Sequence, residues 1–272
     1  MPMDRHDLYE LCVQSPRTIV TFLDKVHAQR PTVLREDFCG TAAVSRRWVS
    51  EGFKRGELRR SVAGDLDADT LSKARTLAEH EGVADGIQFL HTNCIHAEPD
   101  LTEDADVIYF GNFSIGEIHH PADLSRYFSH CHRRLALGNL GFGGGVLVFD
   151  LYGGPEAFEP TILHRTHTAR SGARIDYTWR HEHADASSRM VENSISFVVH
   201  DDAGETRFDR AYVYRWRLWT FDELHAALRH AGFREIHLHT SIALAPNQSP
   251  QPLASPRELP LNWIACVVAR QA

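Results

Sequence analysis

Apolar residues recur along the chain in two rhythms, and the change between them divides the sequence. Near the start, Leu8, Leu11 and Cys12, then Ile19, Phe22, Leu23 and Val26, fall at helical spacing. Ser15-Pro16 between the groups is a helix-start pair, so residues 1–30 are expected to form a helical preface. From Pro31 strands and helices alternate. Strands are expected over Thr32–Leu34, Ser61–Gly64, Ile87–Leu90, Asp106–Phe110 and Gly145–Asp150. Helices are expected over Thr41–Glu51, Asp69–Glu81 and Ala122–Leu137. The fifth strand is almost uninterruptedly apolar, as suits burial on both faces of a parallel sheet. This alternation with short links predicts a doubly wound α/β fold.

From roughly Arg174 to Trp219 the period falls to two, as in Tyr177-Thr-Trp179-Arg-His181 and Ile195-Ser-Phe197-Val-Val199. Asp201-Asp202-Ala203-Gly204-Glu205 between two such runs is a hairpin signal. Two or three antiparallel strands are therefore expected as an insertion after the fifth strand. Thr220-Phe-Asp-Glu223 is a capping box opening a helix that stops at Gly232. Arg234–Thr240 and Trp263–Ala269 read as two final strands, joined by a proline- and serine-rich loop, Ala245–Leu261. The expected division is a preface (1–30), a ligand-binding core (31–150), an antiparallel insertion (151–219) and a segment completing the core (220–272).

Composition narrows the function classes. The 272 residues are 43% hydrophobic and 24% charged, with a net charge of −7, which gives no electrostatic footprint for nucleic acid or an anionic membrane. The five cysteines are scattered and odd in number, without a CxxC pair. That argues against a disulfide framework or a thiolate zinc site and favours a reducing compartment. No run of about 18–20 apolar residues suggests a membrane span. The start MPMDRHDLYE lacks the apolar core of a secretory signal, so a cytoplasmic location is expected.

The candidate chemistry lies in Val33–Val44 and Val62–Asp67. An apolar strand runs into the acids Glu36 and Asp37, then a small-residue turn, then a helix; the next strand ends on Asp65. Such an arrangement builds a nucleoside crevice. A tight turn admits the ligand, the helix N-terminus offers unpaired N–H groups, and the second acid can grip a ribose. Glycine in that turn is expected to avoid a Cβ clash. A dinucleotide fingerprint would need GxGxxG, whereas DFCGTAA from Asp37 has one glycine and no GK[ST] follows. This weakens NAD and ATP and leaves a nucleoside without a pyrophosphate. Asp65 has a plainer reading as a helix-entry acid.

At these residues the sequence resembles class I S-adenosylmethionine-dependent methyltransferases. Glu36-Asp37-Phe38-Cys39-Gly40-Thr41-Ala42 is similar to that family's first motif, with Phe38 and Ala42 where glycines are usual, changes tolerable at negative φ. Gly64-Asp65-Leu66-Asp67 resembles the second, Thr92-Asn93-Cys94 stands at the third, and Ile108–Ser114 at the fourth. The likeness covers about residues 32–150 and resumes over 211–269. More narrowly, LREDFCGTA, NFSIGEIHH, FDLYGG, YRWRLWT and WIACVVA resemble landmarks of a bacterial branch of this superfamily. The resemblance implies a Rossmann-like fold with a mostly parallel seven-stranded sheet, and S-adenosylmethionine as cofactor with S-adenosylhomocysteine as product. It implies cofactor contacts from Glu36, Phe38, Gly40, Thr41, Asp65, Leu66, Asn93, Cys94 and Asn112. It also implies an N-terminal lid, to which Tyr9 and Gln14 would belong, and an insertion walling the acceptor pocket.

Methyl transfer from a sulfonium depends chiefly on alignment, with a base needed only if the acceptor must lose a proton. The expected catalytic candidates are Asn112, His119 and His120 after the fourth strand and Tyr152 after the fifth, with Glu117 and Asp150 on the same loops. His119 or His120 could serve as general base, although among 18 histidines any one is more often structural. Acceptor candidates are Tyr177, Trp179, Arg215 and Arg217, the arginines for an anionic acceptor; their plain alternative is solvation. Tyr212, Tyr214 and Trp216 share one strand face and Arg215, Arg217 and Trp219 the other. The pairs His181/His183 and His237/His239 lack a third ligand, so no metal is expected. The expected partner is a small-molecule methyl acceptor, with a homodimer allowed and neither nucleic acid nor membrane. The competing readings are a non-catalytic binder of the same cofactor, a methyltransferase for RNA or protein, and, least favoured, a nicotinamide dehydrogenase.

Overall fold

The computed structural model describes residues 3–27, 29–96, 104–138, 144–245 and 247–271. The preface forms two helices, α1 (Arg5–Cys12), started by an Asp4 capping box, and α2 (Pro16–His27), opened by its proline. Then follow β1 (Val33–Asp37), α3 (Ala43–Arg55), β2 (Arg60–Asp65), α4 (Ala68–His80), β3 (Ile87–His91), β4 (Val107–Phe110), α5 (Pro121–Arg134) and β5 (Val146–Gly153). The insertion is β6 (Ile162–Thr168), β7 (Arg174–Asp185), β8 (Met190–Asp201) and β9 (Gly204–Arg217). Helix α6 (Phe221–Ala231), β10 (Glu235–His239) and β11 (Trp263–Arg270) complete the core.

The main sheet has seven strands in the order β10-β11-β5-β4-β1-β2-β3, parallel except for β11, which runs antiparallel to both neighbours. The chain moves outward from β1 through β2 to β3, then returns to the other side with β4 and β5. The order therefore switches between β1 and β4, where open α/β sheets bind ligands. One face packs on Leu23, Trp48 and Leu71, and the other on Phe110, Tyr127, Phe128 and Phe149. Phe110 and Phe149 stack at 4.9 Å. The insertion forms its own four-stranded antiparallel sheet, β6-β7-β8-β9. Among the described residues no helix is long and apolar enough to cross a membrane.

Several boundaries differ from expectation for physical reasons. Strand β1 continues through Asp37 because its polar residues are buried in pairs: Arg35 Nε donates to Asp37 at 2.9 Å, and Ser45 donates to Glu36. Asp37 also accepts from Tyr127 (3.0 Å) and Arg134 (2.9 Å). Burial alone would raise its pKa, but Arg134 and Arg35 hold it low. It ties α5 to β1 and is a structural acid. Helix α5 stops at Arg134 because Leu135 leaves it to bridge Ala105. Strand β5 runs past Asp150 because β11 pairs with it as far as Gly153. The insertion has four strands where two or three are expected; β6 is an exposed edge strand without a buried face to pattern its sequence. The preface divides: Leu8 and Cys12 of α1 pack on the insertion, whereas Ile19, Phe22 and Leu23 of α2 pack on the core.

Candidate active site

The loop leaving β1 is left-handed at Phe38 (φ 54°), Gly40 (54°) and Ala42 (55°). The expectation of negative φ at Phe38 and Ala42 is thus overturned: non-glycine residues adopt a conformation costing about 1–2 kcal/mol each. Surrounding bonds enforce it. Gly40 N–H donates to Asp65 Oδ2 (2.7 Å), Cys39 N–H to the Gly64 carbonyl (3.0 Å), and the Phe38 ring packs against Phe110 and Tyr127. A Cβ on Gly40 would meet nothing within 4 Å, so its requirement is conformational, and the clash expected from sequence is absent. A second left-handed pair, Asn112 (55°) and Phe113 (64°), follows β4. Their amides donate to Asp150 at 3.1 and 2.7 Å. Four of the six left-handed non-glycine residues among the described residues thus lie in the two loops at the sheet's switch point, where open α/β sheets bind ligands.

Both loops line one cavity of about 560 Å³, roofed by Arg5, His6 and Tyr9 of α1 and by the aromatic ladder of β9. In that ladder Tyr212 and Tyr214 stack at 6.3 Å, Tyr214 and Trp216 at 4.5 Å. The structure brings Glu36, Phe38, Gly40, Thr41, Asp65 and Asn112 together on this cavity, with Gln14 beside them. Burial pushes Glu36 up to about 7, although Ser45 donates to it from both backbone and hydroxyl. Asp65 accepts from Gly40 and Asp67 amides, so it shapes the loop as well as facing the cavity.

Leu66, Asn93 and Cys94 stand off this cavity. Leu66 is 65% exposed; the Asn93 side-chain oxygen accepts the Ile95 amide at 3.1 Å, closing a local turn. Cys94 is buried, its thiol turned to the Gly64 carbonyl, and burial pushes that thiol far above the usual range.

A second cavity, about 450 Å³, lies between the core and the inner face of the insertion. Tyr152, Tyr177 and Trp179 line it, together with Asp150 and His181. Tyr9, Asn112, Tyr214 and Trp216 line both cavities, so the two meet there. Burial pushes Asp150 up to about 6, with the Phe113 and Asn112 amides pulling the other way. The Tyr152 phenol is raised to about 12 by burial, and its oxygen accepts from Asn193 at 3.0 Å.

His119, His120, Arg215 and Arg217 stand elsewhere, which corrects the expectation for each. His119 contacts the Arg215 carbonyl through Nε2 at 2.7 Å, and His120 stands exposed at the N-cap position of α5 without a side-chain capping bond. Arg217 bonds the His119 carbonyl and Glu223 and lies 4.0 Å over the Trp219 ring. Arg215 is exposed on the outer face of β9. With Trp216 Nε1 donating to Glu117 (2.8 Å) and Trp219 Nε1 to the Ile118 carbonyl (2.9 Å), this cluster straps β9 to the loop after β4. In the sequence His181 reads only as half of a histidine pair without a third metal ligand. Its period-two place beside Tyr177 and Trp179 is the signal that it faces the same cavity. Among the described residues no group of three or more His, Cys, Asp or Glu could hold a metal ion.

No protein-family model matches the chain, and no curated protein matches it in sequence. Solved structures do match. Streptomyces venezuelae DesVI aligns over 100% of both chains at 16% identity, with a TM-score of 0.71. An S-adenosylmethionine-dependent methyltransferase from Clostridium acetobutylicum aligns over 97% of this chain and 96% of its own, at 15% identity and TM-score 0.69. SAM-bound CalS10, an amino pentose methyltransferase from Micromonospora echinaspora, aligns over 99% and 98% at 16% identity and TM-score 0.66. The fold is that of the class I methyltransferases. Within this methyltransferase fold, the first cavity occupies the crevice at the β1/β4 switch point, and the insertion supplies the wall of the second.

Proposed function

We propose that the chain transfers the methyl group of S-adenosylmethionine to a small-molecule acceptor held in the second cavity. The observation that carries this reading is the shared wall of Tyr9, Asn112, Tyr214 and Trp216, where two cavities of ligand size meet. The chemistry of the first cavity fits the cofactor. Glu36, Asp65, Asp67 and Glu117 outnumber Arg5 there, so it favours a ligand carrying positive charge, and buried Glu36 gains most from one. Glu36, Gly40, Asp65 and Asn112 would hold the cofactor, which supplies an electrophilic methyl on a sulfonium.

The chain's own groups position the acceptor and accept its proton. Asp150 is the base in this proposal, in place of His119 or His120. It faces the acceptor cavity, two backbone amides fix its orientation, and its pKa near 6 leaves it ionised at neutral pH yet basic enough to take a proton. Tyr152 keeps its proton and acts as a donor. Aromatic walls with the carboxylates of Asp150 and Glu156, set against the Arg165 guanidinium, suit a polar amine. The similarity to CalS10, an amino pentose methyltransferase, supports an acceptor of that kind. We place the activity in the cytoplasm, given five free buried cysteines. Asp150→Asn tests the assignment. With S-adenosylmethionine saturating, methyl transfer by the variant should fall about 10²–10⁴-fold; unchanged turnover would remove Asp150 from the mechanism.

A further inference from the structure

His181 lies on β7 beside the bulge that interrupts its pairing with β8, and it is 7% exposed. Bulges re-aim side chains next to functional sites. Its Nδ1 is 3.0 Å from the Glu159 carbonyl, and its own amide donates to the Thr161 carbonyl at 2.9 Å. A carbonyl oxygen can only accept, so Nδ1 carries a proton, and in the tautomer with that proton alone Nε2 is a bare lone pair. That Nε2 is buried and has no hydrogen-bond partner among the described residues, while the ring lines the second cavity. A buried acceptor without a donor is costly, and a ligand that brings a donor removes the cost.

The register fixes where such a ligand must present it. His181 pairs with Asn193, and Asn193 with Tyr214, which stands where the two cavities meet. Two strand spacings separate His181 from the junction, roughly 10 Å. The charged groups around this cavity are Asp150 and Glu156 from the core side and Arg165 from β6.

We infer that His181 is a specificity residue, its Nε2 accepting a hydrogen bond from a hydroxyl or amine of the acceptor roughly 10 Å from the methyl-transfer junction. This rests on the second cavity being the acceptor site. The acceptor class is accordingly a compound with two separated polar ends: one at the junction receives the methyl, and a second, hydrogen-bond-donating end is read by His181. His181 is asked to move no proton.

The test compares wild type with His181→Phe, which removes the acceptor nitrogen, and His181→Gln, which restores a hydrogen-bonding oxygen. Calorimetry with S-adenosylmethionine should give equal affinity in all three, confirming intact folds and first cavities. The probe is the aqueous small-molecule extract of the source cells, offered with methyl-labelled S-adenosylmethionine over a range of extract concentrations. The expected result is that His181→Phe needs about tenfold more extract for half-maximal labelling of the wild-type product, the loss of one hydrogen bond. Its maximal rate should be nearly unchanged, and His181→Gln should recover part of the difference. An unchanged concentration dependence in His181→Phe overturns the inference. So does a 15N spectrum of histidine-labelled protein showing His181 Nε2 protonated in the free enzyme at pH 7.5. Failure of the wild type to bind S-adenosylmethionine would instead defeat the underlying methyltransferase reading, and is seen separately in the calorimetry.

Discussion

Ala42 shows how single residues set the crevice. It is fully buried at the entry to α3 with φ 55°, and nothing in its side chain favours that conformation. Glycine there would relieve backbone strain but lose a buried methyl, terms of about 1 kcal/mol each and opposite sign. Ala42→Gly should therefore change stability by less than about 1 kcal/mol, whereas Ala42→Val, β-branched and buried at positive φ, should cost more than about 2 kcal/mol. Urea titration of both variants checks the pair; equal effects would contradict the enforced left-handed turn. Glu36, Gly40 and Asp65 were legible as residues because acid, turn and strand-end acid occur in fixed order. The roles of His119 and Arg217 were not, because a ring nitrogen or guanidinium spent on a carbonyl looks the same in sequence as one aimed at a ligand. Asn93 failed likewise: its oxygen closes its own turn.

Elements were legible where burial wrote a pattern. Strands β2, β3 and β4, the hairpin at Asp201–Glu205 and the Thr220 capping box stand where the apolar spacing and turn residues place them. Strand β6 leaves no apolar pattern because both its faces are mostly exposed, and the end of β1 leaves none because its buried residues are charged, Arg35 paired with Asp37 and Glu36 with Ser45. Helix α6 depends on reciprocal bonds between Thr220 and Glu223, and Glu223 also holds Arg217 of the strap. Thr220→Ala should cost about 1 kcal/mol. Glu223→Ala should cost more, since the cap and the strap both lose a partner, and thermal melts of the two variants compare them. A larger effect from Thr220→Ala would separate the cap from the strap.

At the scale of the molecule, two sheets close around two cavities, and α1 spans them. Its apolar face packs on the insertion, while Asp4 and Asp7 bond Lys73 (3.0 Å each) and Glu10 bonds Arg46 (2.5 Å) on the core. The enclosed acids give this assembly a pH signature. Glu36, near 7, and Asp150, near 6, are both raised above the usual carboxylate range by burial. The folded state therefore binds more protons than the unfolded chain between about pH 4 and 7. Their contribution to stability is present at the acid end of that window and is lost as pH rises through the folded values. The melting temperature of the free protein should show this decline, and Glu36→Gln should flatten its upper part. A cationic ligand favours ionised Glu36, so cofactor affinity should instead rise from pH 6 to 8, with protons released on binding. Calorimetry in two buffers of different ionisation enthalpy reads that release; a pH-independent affinity would contradict the role given to Glu36.

The central claim is that the first cavity holds S-adenosylmethionine through Asp65 and the turn it anchors. Isothermal titration of the whole chain with S-adenosylmethionine and S-adenosylhomocysteine tests it most directly. Saturable single-site binding of both, lost in Asp65→Ala while the variant keeps its native circular dichroism, is the predicted result. Absence of binding by the wild type, or undiminished binding by Asp65→Ala, would contradict it.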